Sequence, residues 1–171
     1  MSHAYKIVVT GPFRAGKTRF IKTISDIAVV STERKITRRI EGLTKKTTTV
    51  AMDYGRVTLN DAVLHLHGTP GQARFDFMWD ILAQEMDGFV LLVDAADLDT
   101  VGEAQALIDM FTSAHAVPYV IAANRQDVEG AASPAKLRRA LGVGPDILVM
   151  PCVSTRKTSV RQVLLQLLES L

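Results

Sequence analysis

YKIVVTGPFRAGKT, residues 5–18, decides the reading of this chain. The β-branched run 5–10 ends at Gly11 and reads as a buried strand. From Lys17 onward Phe20, Ile21, Ile24 and Ile27 recur at helical spacing. Between them GPFRAGKT, residues 11–18, fits the spacing G-x-x-x-x-G-K-[ST]. A loop of this kind, set between a strand and a helix, turns backbone N–H groups toward phosphate oxygens. The positive end of the helix adds to the attraction. The residues expected to line the phosphates are Gly11 and Phe13, Arg14, Ala15, Gly16, Lys17, Thr18 and Arg19. Lys17 reaches the β- and γ-phosphate oxygens, and the Thr18 hydroxyl is a Mg²⁺ ligand.

Outward from this loop, apolar strands alternate with amphipathic helices. Val50 to Leu59 and Ala62 to His67 flank Asn60-Asp61 and read as a hairpin. Residues 88–95, 118–123 and 147–151 read as further strands. Helices are expected over roughly 99–114, from Ser133-Pro134 to near Gly142, and along the apolar face of Val160, Val163, Leu164, Leu167 and Leu168. Residues 31–48 are polar and basic without a period and read as a long loop. The expected fold is α/β, with a six-stranded, mostly parallel sheet, one antiparallel edge strand and flanking helices. Ligands of such sheets bind at the carboxyl ends of the strands.

Composition narrows the class. The 171 residues suit one domain, 1–171, and 47% of them are hydrophobic, so disorder is excluded. A net charge of +2 argues against a protein that coats nucleic acid. The basic run between Arg34 and Lys46 lacks the interleaved aromatics of a nucleic-acid surface and reads as a solvated loop that meets an acidic partner. The single cysteine, Cys152, asks for no oxidising compartment. No apolar run is long enough to span a membrane, no signal peptide opens the chain, and neither end carries a lipidation motif. The expectation is a cytoplasmic protein without a lipid anchor. His65 and His67 alternate along one strand and read as packed residues rather than metal ligands.

NRQD, residues 124–127, follows the strand PYVIAA. A carboxylate at Asp127 accepts from both N1–H and the 2-amino group of guanine, a pair of donors that adenine does not offer there. Asn124 holds the loop together and faces the O6/N7 edge. The stem of Arg125 lies against the ring.

GPFRAGKT, the threonine-rich TTTVAMDYG, GTPGQARF, NRQD and the late CVSTR loop stand in the order of the Ras-like small GTPases. The chain resembles the bacterial branch of that family whose members, the gliding-motility polarity GTPases among them, are associated with Roadblock-domain partners. The resemblance implies a molecular switch that binds GTP or GDP with Mg²⁺, hydrolyses GTP slowly and signals through a partner. It implies that Thr49, or Thr48 beside it, closes on Mg²⁺ and the γ-phosphate. It places the N–H of Gly71 on the γ-phosphate, gives Gln72 the attacking water, and sets Ser154 and Thr155 near the base.

The chain departs from the family in two places. Gly68 stands where relatives carry an aspartate that holds Mg²⁺ through water. Asp53, in VAMDYG on the neighbouring strand of the hairpin, is the nearest carboxylate and is expected to take that place. Phe13 and Arg14 stand where relatives have small residues, which predicts slow hydrolysis. A P-loop ATPase or kinase, and a GTP-binding module without hydrolysis, remain the alternatives.

Overall fold

The computed structural model describes residues 3–38, 46–69 and 83–171, with side chains described for 3–31, 52–69 and 83–171. In chain order the elements are β1 (His3–Thr10), α1 (Lys17–Ile24), β2 (Val30–Arg38), β3 (Lys46–Leu59), β4 (Ala62–Gly68) and β5 (Gly88–Asp94). A 3₁₀ turn (Leu98–Thr100) then leads into α2 (Val101–Ala114), β6 (Tyr119–Asn124), α3 (Pro134–Leu141), β7 (Leu148–Pro151) and α4 (Lys157–Leu168).

The sheet has seven strands in the order β2-β3-β4-β1-β5-β6-β7. β1 pairs in parallel with β4 and β5, and β5–β6 and β6–β7 are parallel too. β3 is antiparallel to both of its neighbours. The seventh strand is a correction. Of residues 31–48, read as a loop from their polarity, 31–38 and 46–48 lie in strands that extend the hairpin instead, with Val30 opposite Tyr54 and Arg38 opposite Lys46. An edge strand needs no apolar alternation when one neighbour supplies its hydrogen bonds. The antiparallel strand therefore lies one place inside the edge.

β1 is apolar and fully buried over Ile7–Val9, where both of its faces are covered. Ile7 and Val9 join Phe20, Ile21, Leu64, Leu66 and Leu92 beneath α1 and α4. Val8 joins Leu91, Val93, Ile108, Phe111 and Leu137 beneath α2 and α3. Phe89 lies between Phe111 and Tyr119, at centroid distances of 5.1 and 4.6 Å. Such aromatic pairs contribute about 0.5–1.5 kcal/mol beyond their burial.

α3 begins as its sequence predicts. The Ser133 side chain accepts from the Lys136 N–H, Pro134 opens the first turn, and Gly142 ends the helix at φ 70°. His65 and His67 pack beside Tyr54, whose hydroxyl lies 2.6 Å from His65 Nδ1. Burial, with Lys6 and His65 nearby, pushes His67 down to about 4, so it is neutral at ordinary pH. Among the described residues no helix is long and apolar enough to cross a membrane.

Candidate functional site

The parallel strands direct their carboxyl ends to one edge of the molecule, and the loops of interest gather there. β1 stops at Thr10, the phosphate loop turns through Gly11–Gly16, and Lys17 starts α1. Gly16 has φ 104°, and a Cβ there would lie 2.6 Å from Asn124 Nδ2, so only glycine fits. Lys17 folds back over its own loop and donates from Nζ to the carbonyls of Gly11 at 2.6 Å and Pro12 at 3.3 Å. Burial lowers its pKa to about 8, although Glu103 and Asp53 pull the other way. The ammonium is thus held at the loop in a poorly solvated place, where an anion would stabilise it.

The flank of the loop at Thr18 is built from three elements. Thr18, on the first turn of α1, donates its hydroxyl to Asp53 Oδ2 at 2.6 Å. Ser31, on β2, donates to Asp53 Oδ1 at 2.8 Å. Asp53 sits directly opposite Gly68 in the β3–β4 ladder. A Cβ at Gly68 would lie 3.4 Å from the Asp53 Cβ. The Asp53 carboxylate therefore fills the flank that Gly68 leaves open. Because Thr18 gives its proton to Asp53, the lone pairs of its oxygen stay available to a cation. Both groups are hard oxygen donors of the kind Mg²⁺ takes. Among the described residues no group of three or more His, Cys, Asp or Glu could hold a metal ion. A cation here would draw its remaining ligands from phosphate oxygens and water.

At the base end Asn124 is 1% exposed and joins three loops. Its Nδ2 donates to the Ala15 carbonyl at 2.9 Å and to Ser154 Oγ at 3.1 Å, and its Oδ1 accepts from the Ser154 N–H at 3.0 Å. All hydrogen-bonding positions of the amide but one are used within the protein. Thr23 Oγ1 fixes the same loop by donating to the Ser154 carbonyl at 2.6 Å. Asn124 thus ties these loops to one another. Its amide is spent on the protein. A cavity of about 330 Å³ opens beside Asn124, with Gly16, Arg19, Asp127, Ser154 and Thr155 in its walls. Asp127 is exposed to it. Arg125 also lines this cavity, and its Nε lies 3.5 Å from Asp94 Oδ2.

Several positions were not foreseen. Asp94 ends β5 and orients Arg125. Ser31 contributes a hydroxyl from a strand that carries no motif, and Thr23 contributes one from α1 beyond the motif residues. Thr69 donates to Thr10 Oγ1 at 2.9 Å, with both hydroxyls buried, and fixes the chain as it leaves β4. The only available signal was position, since Thr10, Thr69 and Asp94 all stand at or just past the carboxyl ends of strands. Thr49, placed just ahead of a strand from the sequence, lies inside β3 opposite Lys35. The side chains of Thr48 and Thr49, and Gly71 and Gln72 altogether, lie outside the described residues.

Residues 26–171 match the family described as "Conserved hypothetical ATP binding protein". The match begins beyond the phosphate loop. The chain is 34% identical over 123 residues to the uncharacterized protein MJ1339 of Methanocaldococcus jannaschii, covering 72% of this chain and 71% of that protein. It is 29% identical over 130 residues to ADP-ribosylation factor-related protein 1 of Rattus norvegicus. That match covers 73% of this chain but only 61% of the relative. Among solved structures, the Arl6 (BBS3) small GTPase of Trypanosoma brucei with bound GppNp superposes with a TM-score of 0.74 at 18% identity, covering 97% of this chain and 96% of that one. The G domain of the T. maritima FeoB iron transporter gives 0.68 at 17% identity, covering 98% and 99%. These two likenesses establish the fold.

Proposed function

We propose that this chain, which belongs to the family described as conserved hypothetical ATP-binding proteins and is related to the Arf-like small GTPases, is a guanine-nucleotide switch. The observation that carries the reading is the buried amide of Asn124, which ties the phosphate loop at Ala15 to the base loop at Ser154. One side chain thereby sets the distance between the two ends of a nucleotide. Guanine is favoured over the adenine of the family's description because Asp127 offers two acceptors on the wall of the base cavity.

Lys17 would leave its two loop carbonyls for the β- and γ-phosphate oxygens. Thr18 and Asp53 would hold Mg²⁺, which when bound supplies charge neutralisation across those oxygens. Thr49 and the N–H of Gly71 would close on the γ-phosphate, and Gln72 would orient water for in-line attack. Turnover by the protein alone would be slow, because the bulk of Phe13 crowds the loop that Gln72 must approach. The output would be binding to a partner in the cytoplasm. A Roadblock-domain protein is the partner that the resemblance of the sequence implies.

Competition between GDP and ADP for the purified protein tests this reading. Displacement of a fluorescent GDP by GDP, and not by ADP at a hundredfold excess, is expected. Equal displacement by ADP would return the base site to adenine.

A further inference from the structure

Two neighbouring residues of the phosphate loop break local rules together. Arg14 has φ 66°, a left-handed backbone that glycine adopts freely and arginine adopts at a cost. Phe13 is 50% exposed, although the turn has no need of an aromatic ring. The two side chains form a unit, for the Arg14 guanidinium lies over the Phe13 ring, 5.4 Å from its centroid. Both face a second cavity of about 350 Å³, on the other side of Arg125 from the base cavity, with Asp94 and Asp97 also in its walls. Neither carboxylate is committed to Arg14. Asp94 is paired with Arg125, and Asp97 accepts from the Asp99 N–H at the start of the 3₁₀ turn. Among the described residues Arg14 forms no ion pair, and an exposed aromatic face holds a cation only weakly. Backbone strain retained in a ligand-contacting loop points to a role for the strained residue.

We propose that Arg14 is a catalytic cation carried in cis. This rests on the GTPase reading. With GTP bound, the guanidinium leaves the Phe13 ring and turns onto the oxygen that bridges the β- and γ-phosphates. As the water oxygen bonds to the γ-phosphorus, the bond from phosphorus to the bridging oxygen breaks and its electron pair stays with GDP. The protons of the water end on the released phosphate. The guanidinium meets the charge that gathers on the bridging oxygen in that step. Arg14 belongs to the loop itself, so its guanidinium stays within one side-chain length of the phosphates. Arg34 and Arg38 lie on β2, a separate element. The Phe13 ring is the resting place of the cation, and parking it there keeps turnover slow.

The test compares the wild type with Arg14→Ala, Arg14→Lys and Phe13→Ala. Each is loaded with GTP and Mg²⁺ and followed through a single turnover, with GDP affinity measured alongside. Arg14→Ala is expected to slow hydrolysis by about tenfold or more. Arg14→Lys recovers only part of the rate, since an ammonium lacks the planar fork. Phe13→Ala raises the rate, and in Arg14→Ala the loss of GDP affinity is much smaller than the loss of rate. Unchanged turnover in Arg14→Ala overturns the proposal. So does a loss of GDP affinity as large as the loss of rate, or a wild type that binds GDP yet leaves its GTP intact. A wild type that does not bind GDP overturns the GTPase reading itself, and this inference with it.

Discussion

Thr18 donates its hydroxyl proton to Asp53 at 2.6 Å, joining the first turn of α1 to the middle of β3. Ser31 takes the other oxygen of the same carboxylate. An aspartate in a strand is costly unless it is paired, and here both of its oxygens are. The carboxylate therefore stands beside the proposed metal ligand, and its two hydroxyl partners hold it there.

Replacing Asp53 with Ala should weaken Mg²⁺-dependent binding of GTP more than that of GDP. The variant removes a charged partner, a loss of roughly 1.5–3 kcal/mol. Titrating Mg²⁺ against each nucleotide measures the difference. The same Mg²⁺ dependence in variant and wild type would end the metal-flank role.

Moving the carboxylate back across the ladder should compensate. In Gly68→Asp alone, the new group would stand beside Asp53, with the two Cβ atoms about 3.4 Å apart, and would press on Ile21 Cδ1 at 3.0 Å. Two adjacent carboxylates repel, so the single variant should bind nucleotide less well than wild type. Combined with Asp53→Ala, the same change should restore part of the Mg²⁺ response. A double variant no better than Asp53→Ala would show that the two positions are not interchangeable.

Asp127→Asn should lose guanine nucleotides by about 1.5–3 kcal/mol and gain xanthine nucleotides. The amide presents a donor where the carboxylate accepted, which suits the 2-carbonyl of xanthine. Competition with XDP and GDP reads the shift. Unchanged GDP affinity would remove Asp127 from base recognition.

Lys17 predicts a pH dependence. Burial lowers its pKa to about 8 in the nucleotide-free protein, while phosphates favour the charged ammonium. Binding then takes up a proton only where the free protein has already lost it, above about pH 8. Lys17 should leave GDP affinity level below that pH and lower it as pH rises, by up to about tenfold per unit. Lys17→Ala should remove this dependence along with most of the affinity. A flat profile between pH 8 and 9 would place the ammonium away from the phosphates.

Much of this was legible in the chain because it is local. The phosphate loop, its flanking strand and helix, the Ser133 cap and the NRQD turn are each read from a few consecutive residues. What escaped the sequence depends on pairing at a distance. Residues 30–38 lack an apolar period, and they become a strand only because 46–54 lie beside them. Asp53 could be nominated as the nearest carboxylate, but its partners Thr18 and Ser31 come from separate elements. Asp94 and Thr10 owe their roles to the sheet, which brings the ends of β1, β5 and β6 together.

The single thiol gives the molecule a built-in reporter. Cys152 is 1% exposed, and burial raises its pKa to about 11. Its N–H donates to the Ala123 carbonyl and its own carbonyl accepts from the Gln126 N–H, on either side of Asn124. A thiol reagent can reach it only when the base-side loops part from β6. The rate at which such a reagent modifies the protein is therefore a clock for the opening of that corner. An occupied base cavity should slow the clock with no label attached anywhere on the nucleotide.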